Sequence, residues 1–394
     1  PPAPATGKRV AVVGGGPSGL TAAYYLTLMG HAVTVFEQRE KLGGMLRYGI
    51  PDYRLPPDVL DRDIDYILAA GMEVRTGVCV GKEVQVPDLQ KEYDAVYVAI
   101  GAHADKKLGL EGEDSENVLS AVEFLRNCGE GHAPDFTSKR VVVIGGGNVS
   151  MDATRTAIRL GAESVTCVYR RRVDDMTALP EEIEDALAEG CQILPLQAPH
   201  RIEADEDGKV AALWTRPQII GGYGRDGRPG PRNAAEKEFR IAADYIIIAI
   251  GQRIESDQFE KGGIETSRGA LKADLSGYVP GTPNVFAGGD AVTGPATVIR
   301  AVAAGKVGAA NIDNFLGYHH TIGSAVRIPP AKLSNTPPCG RIQLKSRNPL
   351  EARQDFALAT CGMTEEEAMQ EASRCLRCDH FGYGIFKGGR TTQW

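Results

Sequence analysis

Three glycines near the start of the chain have the spacing of a phosphate-binding loop. Gly14, Gly16 and Gly19 follow a β-branched run and precede a helical pattern in "KRVAVVGGGPSGLTAAYYLTLMG", residues 8–30. In such a loop the first glycine makes a tight turn, the second admits a pyrophosphate to the backbone, and the third lets helix and strand pack closely. The new helix directs unpaired N–H groups at the phosphates. The pattern predicts a dinucleotide site, which includes the neighbouring Pro17 and Ser18.

A carboxylate follows where such a site needs one. Glu37 ends the run "AVTVFE" (32–37), with Gln38 next to it, and its carboxylate can accept hydrogen bonds from both ribose hydroxyls. A tight turn without a ligand is the weaker interpretation, because strand, glycine loop, helix and acid all agree.

A late segment indicates which dinucleotide binds at this first loop. "VFAGGDAV" (285–292) contains Gly289 and Asp290, and a helical pattern then opens at Thr297 and Val298. Asp290 can bind the ribityl or pyrophosphate region, cap a helix, or do both. The helix N-terminus can face the C2=O edge of a flavin and favour charge on the reduced ring. An early glycine loop paired with a late "GGDA…T" segment is typical of two-domain flavin reductases, so we predict FAD here.

A second glycine loop repeats the design in "KRVVVIGGGNVSMDATRTAIRLG", residues 139–161. Its third position is Ser150 instead of glycine, which weakens the motif but is small enough for close packing. The buried run "DYIIIAIGQ" (244–252) ends in a glycine in the same way as "DAVYVAIGA" (94–102) does in the first unit. The residues predicted to bind a nicotinamide nucleotide here are Gly145, Gly147, Asn148, Val149 and Gly251.

In the second unit an arginine stands at the position where the first unit has an acid. When "VYR" (168–170) is aligned with "VFE" (35–37), Arg170 stands in the place of Glu37, and Arg171 and Arg172 follow it. An acid at this position favours NAD, whereas an arginine can meet a 2′-phosphate through bidentate contacts. A solvated cationic turn is the alternative. The triplet therefore favours NADP(H). NAD(H) stays open, since arginine can also hold a pyrophosphate or stack on adenine.

Two copies of one α/β unit must position these loops. Each loop lies in a βαβ pattern, and each pattern begins a parallel sheet. We expect two Rossmann-like dinucleotide-binding domains, the first of them discontinuous, followed by a Pro-rich arm and a helix with a Thr364–Glu367 capping box. The predicted bounds are 1–106 and 276–330 for the FAD-binding domain, 107–275 for the NAD(P)-binding domain, and 331–394 for a C-terminal docking arm.

Composition excludes several classes of protein. The 394 residues carry a net charge of −7, so no basic field is available for nucleic acid or an anionic membrane. Apolar runs are too short to span a bilayer, and the first residues lack the apolar region of a signal peptide. The eight cysteines are mostly isolated, which favours a reducing, cytoplasmic location.

Several segments together resemble one family. "EKLGGMLRYGIPDYRLP", "VVVIGGGNVSMD", "VTCVYRRR", "AIGQ" and "GGDAVTGPATVIRAVAAGK" are similar, in this order, to the flavin part of the glutamate synthase small subunit and to reductases that couple NAD(P)H to ferredoxin. The resemblance covers about residues 5–320 and implies a fold of thioredoxin-reductase type with one FAD and one NAD(P)H domain. By this match, further residues line or approach the flavin site: Gly44, Met45, Arg54, Val80, Ala99 and Gly101.

The resemblance also implies a partner. In glutamate synthase an iron–sulfur domain precedes the flavin domain, whereas here only "PPAPAT" precedes "GKRV". We therefore expect the flavin subunit of a larger complex, which passes electrons to an iron–sulfur subunit, as in tungsten aldehyde oxidoreductases and ferredoxin-coupled enzymes. Hydride exchange between nicotinamide and flavin is cofactor chemistry, so no catalytic side chain is predicted.

Two rival functions have weaker support. A disulfide reductase of similar fold needs a Cys-x-x-Cys beside the flavin, but Cys128, Cys167 and Cys191 are not closely paired and "KLGGML" has no cysteine. A flavin-holding scaffold or redox sensor without turnover would not need the intact second loop.

The tail contains the only close pair of cysteines, in "EASRCLRCDH" (371–380). Cys375 and Cys378 are spaced to share one face at a helix end. They can be plain thiols in a packed turn, or half of a metal site completed by Cys339, Cys361 or His380. The Gly-rich, aromatic end "FGYGIFKGGRTTQW" favours a third interpretation, a tail that docks on the iron–sulfur subunit, with no metal held by this chain.

Overall fold

The computed structural model describes residues 2–224, 227–321 and 339–375. The strands in these ranges are β1 (Arg9–Val13), β2 (Ala32–Glu37), β3 (Glu73–Thr76), β4 (Ala95–Val98), β5 (Ala104–Asp105), β6 (Val118–Ser120), β7 (Arg140–Ile144), β8 (Ser164–Tyr169), β9 (Gln192–Pro195), β10 (Gln197–Ala204), β11 (Val210–Tyr223), β12 (Pro229–Asn233), β13 (Phe239–Ala242), β14 (Tyr245–Ile248), β15 (Gln252–Arg253), β16 (Thr266–Ser267), β17 (Ala270–Leu271) and β18 (Val285–Ala287).

The helices alternate with these strands along most of the chain. They are α1 (Pro17–Leu28), α2 (Met45–Tyr48), α3 (Pro57–Leu68), α4 (Val86–Glu92), α5 (Ala121–Gly129), α6 (Asn148–Arg159), α7 (Pro180–Ala188), α8 (Asp257–Lys261), α9 (Asp290–Thr293), α10 (Val298–Phe315), α11 (Pro349–Ala352) and α12 (Glu365–Ser373), with a 3₁₀ turn at Val173–Asp175. Within the described ranges, none of them combines the length and apolar character needed to cross a bilayer.

The first sheet is parallel and has the strand order β18-β4-β1-β2-β3. Its central strand β1 is almost continuously apolar because both faces of the sheet are covered. Val10 and Val12 pack into a core with α1 and α10, whereas Ala11 and Val13 pack into a second core with α4 and α8. Burial of each valine side chain stabilises the sheet by roughly 1.5–3 kcal/mol. Because β18 lies late in the sequence, two separated parts of the chain build this sheet.

The second sheet repeats the first with the order β6-β14-β7-β8-β9. Val141 and Val143 of the central strand β7 pack against α5 and α6. Val142 and Ile144 face an antiparallel sheet of β10 to β13, which covers the other face. The predicted α/β fold with two Rossmann-like parallel sheets is confirmed. The four predicted domain ranges stay a prediction.

The described part of the C-terminal arm lies against the body of the protein. Ser346 and Thr360 form a β-bridge, and α11 contacts α7. The Thr364–Glu367 capping box predicted for the last helix is present, with both reciprocal hydrogen bonds. That helix ends at Ser373.

Candidate cofactor site

The first glycine loop follows the central strand β1 and is closed to larger residues. A Cβ on Gly14 would lie 2.4 Å from the carbonyl oxygen of Ala99, and one on Gly19 would lie 1.9 Å from the carbonyl oxygen of Gly14. Both positions require glycine because the blocking atoms belong to the backbone. Gly16 is the N-cap of α1, so the helix begins directly behind the loop. The loop is thus shaped to bring backbone N–H groups to a phosphate.

Glu37 braces this loop from the end of β2. Its carboxylate accepts hydrogen bonds from the N–H groups of Gly15, at 2.7 Å, and Arg39, at 2.9 Å. Burial raises the pKa of the Glu37 carboxyl, and these N–H donors oppose the rise. Since Glu37 also lines the adjoining cavity, the carboxylate is held at the place where a ribose would have to lie.

A cavity of about 450 Å³ opens in front of the loop. This volume is within the usual range for a small-molecule site. The FAD-site residues predicted from the sequence that line it are Gly14, Gly16, Pro17, Ser18, Glu37, Gln38, Gly44, Met45, Arg54, Val80, Ala99, Gly101, Asp290, Thr297 and Val298.

Two of the predicted glycines lie behind the cavity instead of lining it. Gly19 packs against the turn of Gly14. Gly289 has φ of +68°, and a Cβ there would lie 2.9 Å from the Cβ of Ser18. Both therefore act on the shape of the loop and do not contribute surface to the cavity.

The late segment lines the same cavity through Asp290, Thr297 and Val298. Asp290 starts the short helix α9, and Thr297 is the N-cap of α10, so the predicted helix start is confirmed. Burial raises the pKa of the Asp290 carboxyl, and a hydrogen bond from the N–H of Ala296 opposes this. The positive end of the 18-residue helix α10 faces the cavity through Thr297 and Val298.

The second glycine loop follows β7 and is also tightly packed. A Cβ on Gly145 would lie 2.3 Å from the carbonyl oxygen of Ala249. Ser150, at the third position, is fully buried, and its hydroxyl donates to the same carbonyl oxygen at 3.2 Å. The buried hydroxyl of Ser150 therefore has a hydrogen-bond partner. The N–H of Leu179 donates to Asn148 Oδ1 at 2.9 Å and fixes the start of α6.

The two units meet at the first turn of α6. Asn148 and Val149 line the same cavity as the first glycine loop. The other residues predicted for the nicotinamide nucleotide do not line it: Gly145, Gly147, Arg170, Arg171 and Gly251. A nucleotide bound along the second loop would therefore enter the shared cavity at only one of its ends.

The arginine triplet is divided among three environments. Arg170 is exposed, and within the described residues it forms no salt bridge. Arg171 is buried, and its backbone carbonyl accepts from the N–H of Leu196. Arg172 donates to both carboxylate oxygens of Asp175, at 2.9 and 3.0 Å, and this hydrogen bonding raises its pKa. Only the first of the three side chains is both exposed and unpaired.

Sequence reasoning missed Asp152, which also lines the cavity. Its buried carboxylate accepts two hydrogen bonds from Arg54, at 2.8 and 2.9 Å. Burial raises the pKa of Asp152 to about 6, and the positive charge of Arg54 opposes the rise. A signal was present in the sequence: Asp152, Arg155 and Arg159 recur at helical spacing on α6, a charged stripe on a helix that is otherwise buried.

His103 and Cys79 line the cavity as well and were not predicted. Burial, aided by the positive charges of Arg39 and Arg126, lowers the pKa of His103 to about 4, so its imidazole is neutral near pH 7. Burial raises the pKa of the Cys79 thiol. No second cysteine lines the cavity in the described part of the chain, so the structure offers no dithiol at the flavin position.

The cysteines proposed for the minority metal site are not assembled in the described ranges. Cys339, Cys361 and Cys375 do not form a set of ligand atoms within 4.8 Å of one another, and Cys378 and His380 lie outside the described residues. The shared face expected for Cys375 and Cys378 stays a prediction; α12 ends at Ser373, and Cys375 follows its cap Arg374. His31, Asp313 and His320 do form such a set, in which Asp313 Oδ1 is hydrogen-bonded to one nitrogen of each ring, His31 Nε2 at 2.9 Å and His320 Nδ1 at 2.8 Å.

Comparison with known proteins places these features in a family. The pyridine nucleotide-disulphide oxidoreductase family matches residues 8–305. The chain is 36% identical to the NADP(+)-dependent formate dehydrogenase subunit beta of Moorella thermoacetica, over 97% of this chain and 56% of that protein. It is 35% identical to the glutamate synthase [NADPH] small chain of Escherichia coli K12, over 79% of this chain and 69% of that protein. The expected resemblance is confirmed.

Another relative and two solved structures agree with this placement. The NADPH-Fe(3+) oxidoreductase subunit beta of Geobacter sulfurreducens is 32% identical over 96% of this chain and 62% of that protein. FprA from Mycobacterium tuberculosis has a TM-score of 0.69 at 20% identity, covering 79% of this chain and 85% of FprA. Thioredoxin reductase from Lactococcus lactis has a TM-score of 0.60 at 21% identity, covering 79% and 99%. These two structures show the shared fold.

Proposed function

Because the chain belongs to the pyridine nucleotide-disulphide oxidoreductase family, we propose that it is a flavin subunit which transfers electrons between NADP(H) and an iron–sulfur partner through FAD. One observation carries this proposal: a single cavity is lined both by the first glycine loop and by the start of the helix behind the second loop. A flavin and a nicotinamide held by these two elements would meet in that cavity.

The residues of the first unit fit FAD. Backbone atoms leave no room for a side chain at Gly14, which suits a loop that a pyrophosphate must approach. The buried carboxylate of Glu37 would accept from the ribose hydroxyls of the adenosine. Met45 and Thr297 both line the cavity and would contact the flavin ring system.

Once bound, the two cofactors supply hydride exchange between nicotinamide and flavin and one-electron exchange with a cluster. The chain supplies position and electrostatics. The N-terminus of α10 presents positive potential at Thr297, which stabilises negative charge on a reduced ring system. Apolar side chains such as Val80 and Val149 keep water away from the cavity walls.

Arg170 supports NADP(H) as the nucleotide. It lies directly after β8, where the adenosine ribose of a Rossmann unit is bound, and it is exposed. Arg172 is engaged with Asp175, so it contributes less to a new anion contact. Three of the relatives are named for NADP(+) or NADPH.

The iron–sulfur partner is inferred from the kind of protein that the chain resembles. Relatives are named as a beta subunit or a small chain, and such proteins work within larger assemblies. This chain spans between about half and two-thirds of the length of these relatives.

Anaerobic reduction of the bound flavin tests the proposal. The full chain, loaded with FAD, is mixed with NADPH or NADH, and the flavin absorbance is followed. We expect bleaching with NADPH, and slower bleaching with NADH at equal concentration. If neither nucleotide bleaches a fully loaded protein, the oxidoreductase proposal is wrong and a flavin-holding scaffold is favoured. Titration of the reduced protein with a disulfide substrate distinguishes the proposed function from that of the rival disulfide reductase.

A further inference from the structure

A buried ionic contact joins the two dinucleotide-binding units beside the shared cavity. Arg54, in the segment between α2 and α3, donates to both carboxylate oxygens of Asp152 at 2.8 and 2.9 Å. Its other terminal nitrogen lies 2.6 Å from Glu182 of α7. The side chains of Asp152 and Glu182 are only 5% and 12% exposed. Thus one guanidinium from the first unit holds both α6 and α7 of the second.

A second set of contacts lies directly behind this one. The ring of Tyr53 is fully buried, with the guanidinium of Arg159 at 3.8 Å and that of Arg155 at 5.0 Å from its centroid. Both arginines also bind Glu189. Tyr53 and Arg54 therefore insert as neighbours into a charged pocket formed by α6 and the end of α7.

The C-terminal arm closes over the same junction. The N–H of Ala359 donates to the carbonyl of Tyr53 at 2.9 Å, which is a contact with the first unit. Arg353 donates to the carbonyl of Glu189 at 3.2 Å, which is a contact with the second unit. A short stretch of the arm thus bonds to both units at once.

We propose that Arg54 and Asp152 are positioning residues for hydride transfer, which fix α6 and the nucleotide behind it at a set distance from the flavin site. The stretch of the arm from Arg353 to Ala359 secures the junction from outside. This inference rests on the proposed function. Arg54 uses Nη1 for both carboxylate oxygens of Asp152 and Nη2 for Glu182. Because the two nitrogens belong to one planar group, these contacts hold only over a narrow range of separations and define both the distance and the angle of the junction. Hydride transfer is sensitive to such a displacement.

Alternative roles for the pair fit the geometry less well. A purely structural ion pair would not need to line the cavity, yet both Arg54 and Asp152 do. Arg54 itself cannot transfer a proton, because arginine stays protonated at any physiological pH. Contact with the cavity wall and the span between the two units point to positioning.

Stopped-flow reduction of the FAD-loaded full chain by NADPH tests the inference. Arg54→Lys keeps the positive charge but loses the two terminal nitrogens of the guanidinium. Asp152→Asn keeps the shape of the side chain but loses its negative charge. For both variants we expect the limiting rate of flavin reduction to fall about tenfold or more, with a smaller change in the apparent Kd for NADPH. With NADPH deuterated at the transferred position, the isotope effect should rise, since a badly positioned hydride makes the chemical step more fully rate-limiting.

A matched control and a second variant keep the outcome clear. Lys107→Ala removes an ion pair with Asp114 that is exposed on both sides, and it should leave all rates unchanged. If an Arg54 or Asp152 variant loses FAD, Arg353→Ala tests the same junction from the arm. For this variant we expect the limiting rate of flavin reduction to fall several-fold. Loaded variants that reduce at the wild-type rate with an unchanged isotope effect would overturn the inference. A wild-type protein that NADPH does not reduce would instead overturn the proposed function.

Discussion

The two glycine loops share a sequence pattern but differ in what surrounds them. The first loop faces the cavity with Gly14, Gly16, Pro17 and Ser18, and a buried acid, Glu37, braces it. The second loop reaches the cavity only at Asn148 and Val149, and an exposed Arg170 stands in place of the acid. This difference supports the proposal that the first loop holds a resident cofactor, whereas the second binds a nucleotide that reaches the cavity at Asn148 and Val149.

Cofactor retention should depend most strongly on the first loop. Gly19→Ala would put a methyl group 1.9 Å from the carbonyl oxygen of Gly14, so the turn that approaches the pyrophosphate must move. We expect loss of FAD from the purified protein and destabilisation of about 1–3 kcal/mol or more from overpacking. The ratio of flavin to protein absorbance measures the first effect and thermal unfolding the second. Wild-type flavin content in this variant would show that the loop does not hold the cofactor.

The two units also differ in how their helices are held. The helices of the first unit pack mainly through apolar cores, whereas α6 in the second depends on Arg155 and Arg159 bound to Glu189. Glu189→Ala leaves the buried guanidinium of Arg159 without its acid, whereas Arg155 keeps its ion pairs with Glu182 and Asp185. We therefore expect a loss of about 3–5 kcal/mol in the free energy of unfolding. Denaturant unfolding of the FAD-loaded chain measures it. The exposed pair of Lys107 and Asp114 gives the control, with an expected change below about 1 kcal/mol.

Nucleotide preference should depend on the residue that distinguishes the second loop. Arg170→Ala removes the exposed cation at the end of β8. We expect the KM for NADPH to rise about tenfold or more, at a cost of about 1.5–3 kcal/mol for a charge-assisted contact, with little change for NADH. Steady-state reduction of a ferricyanide-type acceptor measures both. Arg172→Ala should have a smaller effect because Asp175 already holds that side chain. Equal losses with NADPH and NADH would contradict a 2′-phosphate contact.

The junction between the units should respond to pH through Asp152. Its pKa is raised to about 6 by burial, so the carboxyl gains a proton as the pH falls through about 6 and its attraction for Arg54 is lost. We expect the rate of flavin reduction to fall several-fold below pH 6. This step should be absent in Asp152→Asn. A pH profile of the limiting rate checks this expectation.

The raised pKa of Asp152 affects the free energy of unfolding in the opposite direction to the rate. An acid whose pKa is raised in the folded state binds its proton more tightly there than in the unfolded chain. The contribution of Asp152 to stability is therefore greatest below its ordinary pKa of about 4 and declines as the pH rises through about 6. Unfolding of the wild type and of Asp152→Asn, compared at several pH values, isolates this contribution. A wild-type curve that rises across this range relative to the variant would contradict it.

Local patterns in the sequence were enough to predict the sheets, the glycine loops, Glu37 at the end of β2 and the helix start at Thr297. Each depends on residues within one βαβ unit or one helix end, where spacing fixes geometry. The pairing of Arg54 with Asp152 was not predicted, because it joins positions 98 residues apart and depends on how two units pack. The contact of Ala359 with Tyr53 escaped for the same reason. Of this part of the site, the charged stripe on α6 was the one local signal.

The smallest expected effect belongs to the third position of the second loop, where serine replaces the glycine that the first loop requires. Ser150→Ala removes the hydrogen bond to the carbonyl oxygen of Ala249 but keeps the small size that the packing needs. We expect a loss of about 1 kcal/mol in the free energy of unfolding and a KM for NADPH within about twofold of the wild type. Gly19→Ala at the equivalent position of the first loop is the contrasting variant. If Ser150→Ala lowered stability and ligand binding as much as Gly19→Ala does, the two loops would be equally sensitive at their third position. The proposed difference between the two sites would then be wrong.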